Sequence, residues 1–269
     1  MSESEHDGGE CLRRGVFDYN AGLAALKEAC LGSSERTLLA ERIADVFARR
    51  SIAMLDIGSG NGVVTRKLMH DMEMHSVNAH VTCVEPNPTG PWQVYESDKM
   101  KLVVGGFEEV TFESAFDVIT SIHSIYYVGS LSVAVKKMSS LLAPGGLLLI
   151  LVWESSCILY QAATILQGSR GQRVISADDV FLHVCDRWSR SAVTRLHYEG
   201  PLAIPFFLRS PKTLQSLASV IIRDRNSRIN EEVLRLLADH LRQARTIELR
   251  RNSLIIVRAP GACGEHGGA

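Results

Sequence analysis

The chain carries almost no net charge: 29 Lys and Arg stand against 30 Asp and Glu, a formal −1. No global basic field draws it onto nucleic acid or an anionic membrane, and neither is expected as a partner. Long apolar runs are also missing. The longest lies near Leu147–Trp153, far short of the roughly 20 residues of a membrane span. The opening stretch, MSESEHDGGE, is acidic and polar with no apolar segment, so no secretory signal is expected. Close cysteine pairs are absent as well. Cys11, Cys30, Cys83, Cys157, Cys185 and Cys263 are scattered, without the C-x-x-C spacing of a zinc or redox site. His183 and Cys185 lie close together, but no second pair completes a metal site. The reading is of free thiols in a reducing, cytoplasmic compartment and of no metal centre. There is no internal repeat and no low-complexity linker.

What is present is the composition of an ordinary folded chain, 46% hydrophobic and 22% charged over 269 residues. That length suits one large α/β domain with or without a lid. Residues 1–50 read as a helical N-terminal cap. Leu23, Leu26, Lys27 and Cys30 recur at helix spacing, and after a Gly32-Ser33-Ser34 break Leu38, Leu39, Ile43, Val46 and Phe47 share one face. Then strand and helix patterns alternate: SIAMLDIG, NGVVTRKLMHDM, HVTCVEP, KLVVGGF, FDVITSIHSIYYV, SLSVAVKKMSSLL with APGG as its stop, and LLLILVW. Such alternation predicts a doubly wound, mostly parallel, Rossmann-like sheet. SAVTRLHY and NSLIIV add two late strands, for a total of seven, with NSLIIV (252–257) closing the sheet. The main domain is expected over residues 51–259, with lid segments near 155–190 and 205–245. A disordered tail is expected over 260–269.

The strongest local signal is Leu55-Asp56-Ile57-Gly58-Ser59-Gly60-Asn61-Gly62, which leaves a strand and opens a helix. Glycine lets the backbone turn sharply and approach a ligand with no Cβ in the way. The spacing is G-x-G-x-G, with Val63 where a dinucleotide fingerprint would carry its third glycine. A sulfonium nucleoside has no phosphate, and an acidic neighbour suits its positive charge. Asp56 stands just before the turn. Glu85 ends the second strand, where a carboxylate can accept hydrogen bonds from ribose hydroxyls, and Pro86 stops that strand.

In these motifs the chain resembles class I methyltransferases dependent on S-adenosylmethionine. LDIGSGNG looks like their first motif, VEP like their ribose-binding acidic motif, and LLAPGGLLLIL like their helix–turn–fifth-strand segment. The resemblance implies that Asp56, Gly58, Ser59, Gly60, Glu85 and Pro86 surround the cofactor. By the same carry-over, Gly106 and Phe107 flank the adenine, while Ser121 and Ile122 lie near the methionine end.

Methyl transfer from a sulfonium is an in-line displacement that depends on positioning a lone pair. The segment Ile122-His123-Ser124-Ile125-Tyr126-Tyr127-Val128 leaves the fourth strand, where substrates approach open α/β sheets. His123 is the natural proton acceptor or hydrogen-bond partner, and Tyr126 and Tyr127 suit an aromatic or cationic substrate. IHSIYYV, ISADDV, LLADHLRQA and NSLIIV are together similar to the histamine N-methyltransferase family. That likeness implies an acceptor site built from Tyr19, Glu35, His123, Tyr126, Tyr127 and Asn252, the last opening the final strand. The family has glutamine where this chain has His123. Its tyrosine-to-glutamate spacing is shorter than that from Tyr19 to Glu35, which leaves Glu28 as a second choice for the acid. The expected function is transfer of a methyl group to a nitrogen of a small amine, imidazole or amino-acid-derived substrate. Rival readings are an O-methyltransferase or natural-product methyltransferase on the same fold, a nicotinamide oxidoreductase, and a non-catalytic binding module. No feature specifies an oligomeric state.

Overall fold

The computed structural model describes residues 21–22, 25–26, 29–30, 35–88, 92, 97–168, 173–222 and 229–261. Tyr19, Glu28, the Ser33-Ser34 break, Cys11, Cys263 and the tail beyond 261 lie outside the described residues.

Seven strands form one sheet in the order β3-β2-β1-β4-β5-β7-β6. They are β1 (Ser51–Ile57), β2 (Asn78–Glu85), β3 (Met100–Val104), β4 (Phe116–Ile122), β5 (Leu142–Trp153), β6 (Val193–Ala203) and β7 (Ile247–Arg258). β1 pairs in parallel with β2 and β4, β2 with β3, and β4 with β5, while β7 runs antiparallel to β5. Strand order reverses between β1 and β4. Open α/β sheets bind ligands in the crevice beyond the carboxyl ends of the strands at such a reversal.

The eight numbered helices are α1 (Glu35–Phe47), α2 (Val63–Met74), α3 (Leu131–Leu141), α4 (Ile158–Gly168), α5 (Ala177–Arg187), α6 (Ile204–Leu208), α7 (Pro211–Ile222) and α8 (Glu231–Arg242). Local chemistry sets several starts. Ser130 accepts from Val133 N at the head of α3, and Asn230 accepts from Val233 N at the head of α8. Ser176 and Asp179 form a reciprocal capping box at α5.

The chain divides into two compact units. One comprises residues 33–154, 175–198 and 252–269 and holds β1 to β5 with α1, α2, α3 and α5. Its core joins Leu39, Ile43 and Phe47 of α1 and Leu68 and Met72 of α2 to Met54, Val81, Val118, Leu149 and Leu254 of the sheet. β5 is buried without break from Gly146 to Trp153, as expected of a strand covered on both faces. The other unit comprises residues 1–32, 155–174 and 199–251 and is chiefly helical, with α4, α6, α7 and α8 packed together.

Two boundaries differ from the sequence reading. APGG does not separate helix from strand: β5 begins at Leu142, directly after α3. Gly145, at φ +74°, donates its N–H to Pro260 O, and Ala259 N donates to Gly146 O, so this glycine pair extends the pairing with β7 at the start of β5. β7 begins at Ile247, so Asn252 lies within the strand, opposite Trp153 of β5, and does not open it. Arg and Glu at 248–251 concealed this start, because a charged segment shows no buried alternation.

Candidate active site

The turn after β1 is held from three sides. Gly58, Gly60 and Gly62 all have positive φ, +72°, +61° and +73°, a region that L side chains enter at a cost. Gly58 N donates to Val84 O at 2.8 Å. Glu85 takes Gly60 N on Oε2 at 2.9 Å and Asn87 N on Oε1 at 3.0 Å, so the tip of β2 is tied to the glycine turn. The buried Trp92 donates Nε1–H to Gly60 O at 3.1 Å. Its ring approaches so closely that a Cβ on Gly62 would fall 2.8 Å from it. Sequence reasoning missed Trp92, which lies in a stretch with no periodic pattern.

Asp56 faces inward. It is 3% exposed and accepts from the hydroxyls of Thr65 on α2 and Thr120 on β4. Burial pushes its carboxyl above the ordinary value, the threonine hydrogen bonds oppose that rise, and the nearby Glu85 charge adds to it. The residue thus anchors the strand end under the turn.

On the β3 side, Gly106 is half-buried, whereas the ring of Phe107 packs near Phe112 with its centroid 6.4 Å away. Lys137 lies over the Phe107 ring and donates to the carbonyls of Phe107, Glu108 and Val110. Glu108 in turn accepts from Gly129 N and Ser130 N, which laces this loop to the start of α3. Pro86 is exposed, Ser121 is fully buried and Ile122 is half-buried.

Glu35, His123 and Asn252 meet at one place. Asn252 Nδ2 donates to Glu35 Oε1 at 2.7 Å, and His123 Nε2 lies 3.5 Å from the same oxygen. Among the described residues, both ring nitrogens of His123 and Oδ1 of Asn252 are buried with no hydrogen-bond partner. Natural structures leave few such atoms unmatched. His123 has φ +52°, a region that residues with a Cβ enter at a cost. Its ring stands 6.4 Å from Tyr126 and 5.8 Å from Trp153, while Tyr126 and Trp153 are 5.1 Å apart. The Tyr126 hydroxyl accepts the backbone N–H of Trp153, closing the end of β5. Tyr127 is 43% exposed and is not among these rings. The structure therefore brings together Glu35, His123, Tyr126 and Asn252, and adds Trp153.

The turn fits a nucleoside. Among the described residues, nothing lies within 4 Å of a Cβ built on Gly60. Ser59 is buried at the turn, beside Cys83. A carboxylate at the β2 tip suits ribose hydroxyls, since each of its oxygens keeps a lone pair beyond the backbone bonds. The sheet order and this turn define the class: an enzyme that transfers methyl groups from S-adenosylmethionine. The family described as "Methyltransferase domain" matches residues 32–207, and the chain belongs to it.

Individual likenesses are more distant. Malonyl-[acyl-carrier protein] O-methyltransferase of Priestia megaterium is 29% identical over 111 residues, 41% of this chain. The chain thus spans 40% of the length of the curated relative it matches. Among solved structures, the YcgJ protein from Bacillus subtilis has a TM-score of 0.57 at 14% identity, covering 84% of this chain and 98% of that one. A phosphoethanolamine N-methyltransferase of Haemonchus contortus, solved with phosphomonomethylethanolamine and S-adenosylhomocysteine, has a TM-score of 0.55 at 15% identity, covering 90% of this chain and 58% of that one. Geranyl diphosphate C-methyltransferase of Streptomyces coelicolor has a TM-score of 0.50 at 13% identity, covering 94% of each chain. At these identities the likeness speaks for the fold. Among the described residues, no helix is long and apolar enough to cross a membrane.

Proposed function

We propose that the enzyme methylates a nitrogen of a small amine, imidazole or amino-acid-derived substrate, in the manner of the histamine N-methyltransferase family. The observation that carries this reading is the convergence of Glu35, His123 and Asn252, with three buried polar atoms left unmatched among the described residues. Glu35 and the Asn252 carbonyl oxygen can only accept hydrogen bonds, and neutral His123 can accept one as well. The cluster therefore calls for a ligand that brings N–H donors or positive charge. Tyr126 and Trp153 set aromatic rings beside His123, and aromatic rings suit cations.

In this reading Gly58, Ser59, Gly60, Glu85 and Pro86 hold the nucleoside on one side and Gly106 and Phe107 on the other, with Ser121 and Ile122 toward the methionine end. S-adenosylmethionine supplies an electrophilic methyl on a positively charged sulfur. Glu35 and Asn252 orient the acceptor, Tyr126 bounds it, and His123 takes the proton that an attacking nitrogen must lose. Tyr19 and Tyr127 remain part of the proposed acceptor site. The segments near 155–190 and 205–245 serve as the lid, and the setting is cytoplasmic.

The Priestia relative supports a second reading, methyl transfer to a carboxylate oxygen. A carboxylate acceptor would bring a negative charge toward Glu35, and a cluster of hydrogen-bond acceptors opposes it. The test is a methyl-transfer screen reading S-adenosylhomocysteine release, with small amines and imidazoles set beside matched phenols and carboxylates. Turnover confined to the nitrogen compounds is expected. Turnover confined to carboxylates or phenols would overturn the proposal.

A further inference from the structure

Ser121, set toward the methionine end in the reading above, also belongs to a line of hydroxyls at the end of β4. Ser121 Oγ and Ser124 Oγ are 2.7 Å apart, and Ser124 Oγ donates to the backbone carbonyl of Ile57, the last residue of β1. A serine hydroxyl has one proton. Ser124 gives its proton to Ile57, so it must accept from Ser121, and the relay runs from Ser121 through Ser124 to Ile57. Ser121 is 0% and Ser124 6% exposed, so bulk water does not compete for these bonds.

The geometry that produces the relay is unusual for serine. Ser124 occupies the N-cap of the 3-10 turn Ile125–Tyr127, yet its side chain makes no cap hydrogen bond. The left-handed backbone at His123 directs the chain out of β4, and the Ser124 hydroxyl reaches β1 instead. The Ile57–Gly58 peptide is consequently held at both polar ends. Its carbonyl is taken by Ser124, and its N–H is taken by Val84 O at 2.8 Å. Packing is equally close, since a Cβ on Gly58 would fall 2.4 Å from Ser124 Cβ.

We infer that Ser124 is a positioning residue that locks the first peptide of the cofactor turn to the loop beginning at His123. Cofactor binding and ordering of the acceptor-side loop are then one event. The cofactor half rests on the family's chemistry, and the acceptor half rests on the nitrogen-acceptor reading above.

The test uses the full chain with S-adenosylhomocysteine as probe. Affinity is measured by calorimetry for wild type and Ser124→Ala. Hydrogen exchange is followed over residues 57–62 and 123–128 with and without the probe. Ser124→Ala should bind about tenfold more weakly, the equivalent of one buried hydrogen bond. The probe should still slow exchange at 57–62 but no longer at 123–128. Wild-type affinity with protection retained at 123–128 would overturn the inference. So would faster exchange spread evenly over β1 to β5, which marks general loosening. None of these readouts depends on the acceptor, so a failed nitrogen assignment would leave them unchanged.

Discussion

Asn252 and Glu35 stand 217 residues apart in the chain, and the buried amide of the first donates to the carboxylate of the second at 2.7 Å. Glu35 heads α1 and Asn252 lies inside β7, so the bond joins a helix start to a strand interior. Asn252→Ala removes the donor and leaves a buried carboxylate oxygen short of one partner. Urea unfolding should show a loss of about 1–3 kcal/mol. Affinity for S-adenosylhomocysteine should stay near wild type while KM for the acceptor rises.

Gly58 and Gly60 share a left-handed backbone but differ in surroundings, so alanine should separate their roles. At Gly58 the new methyl meets Ser124 and should lower thermal stability well beyond the backbone cost of about 1–2 kcal/mol. At Gly60 it meets nothing within 4 Å among the described residues, so the fold should pay the backbone cost alone. Cofactor affinity should nonetheless fall sharply at Gly60, because the methyl projects where the nucleoside is held. Glu85→Ala should weaken binding about a hundredfold, with two charge-assisted anchors lost. Calorimetry and a melting curve on the same samples read both effects.

Asp56 gives the stability a pH dependence of known sign. Burial holds its folded pKa above the ordinary 3.8. The folded state therefore binds this proton more tightly than the unfolded state. The contribution is most favourable below the ordinary carboxylate range, declines as pH rises through it toward the raised value, and then levels off. Asp56→Asn removes that decline. The stability of the variant minus that of wild type should increase from about pH 4 upward. Parallel curves from urea titrations would contradict this reading of Asp56.

His123 should show a conflict between stability and activity. Its φ of +52° burdens any residue with a Cβ. His123→Gly should therefore be more stable than His123→Ala by about 1 kcal/mol, the part of the strain that survives glycine's own entropy cost. Both variants should bind S-adenosylhomocysteine like wild type and lose about a hundredfold or more in turnover.

Much of this site could be read from the sequence because its signals are local. The glycine turn, Asp56 and Glu85 sit at strand ends, and strand ends announce themselves in apolar runs followed by glycine or proline. The Glu35–Asn252 pair has no local signature. It became visible through resemblance alone, since no periodicity links residues 217 apart. Nothing in the sequence singles out Ser124, and its reach to Ile57 accompanies the left-handed turn at His123, which no composition signals. Tyr126 and Tyr127 look equivalent in sequence, but a 3-10 turn sends neighbours in different directions, one buried and one exposed. Trp153 is legible as a strand end, while its place beside His123 follows from the pairing of β4 with β5.

Where the methyl group lands is the most direct measure of the nitrogen assignment. The enzyme would be given S-adenosylmethionine labelled with carbon-13 in the methyl, together with its best acceptor, and the product read by proton–carbon correlation spectroscopy. A single labelled methyl coupled to nitrogen-bearing neighbours is expected, and it should vanish in His123→Ala while cofactor binding persists. A labelled methyl on oxygen or carbon in the wild-type product would contradict it.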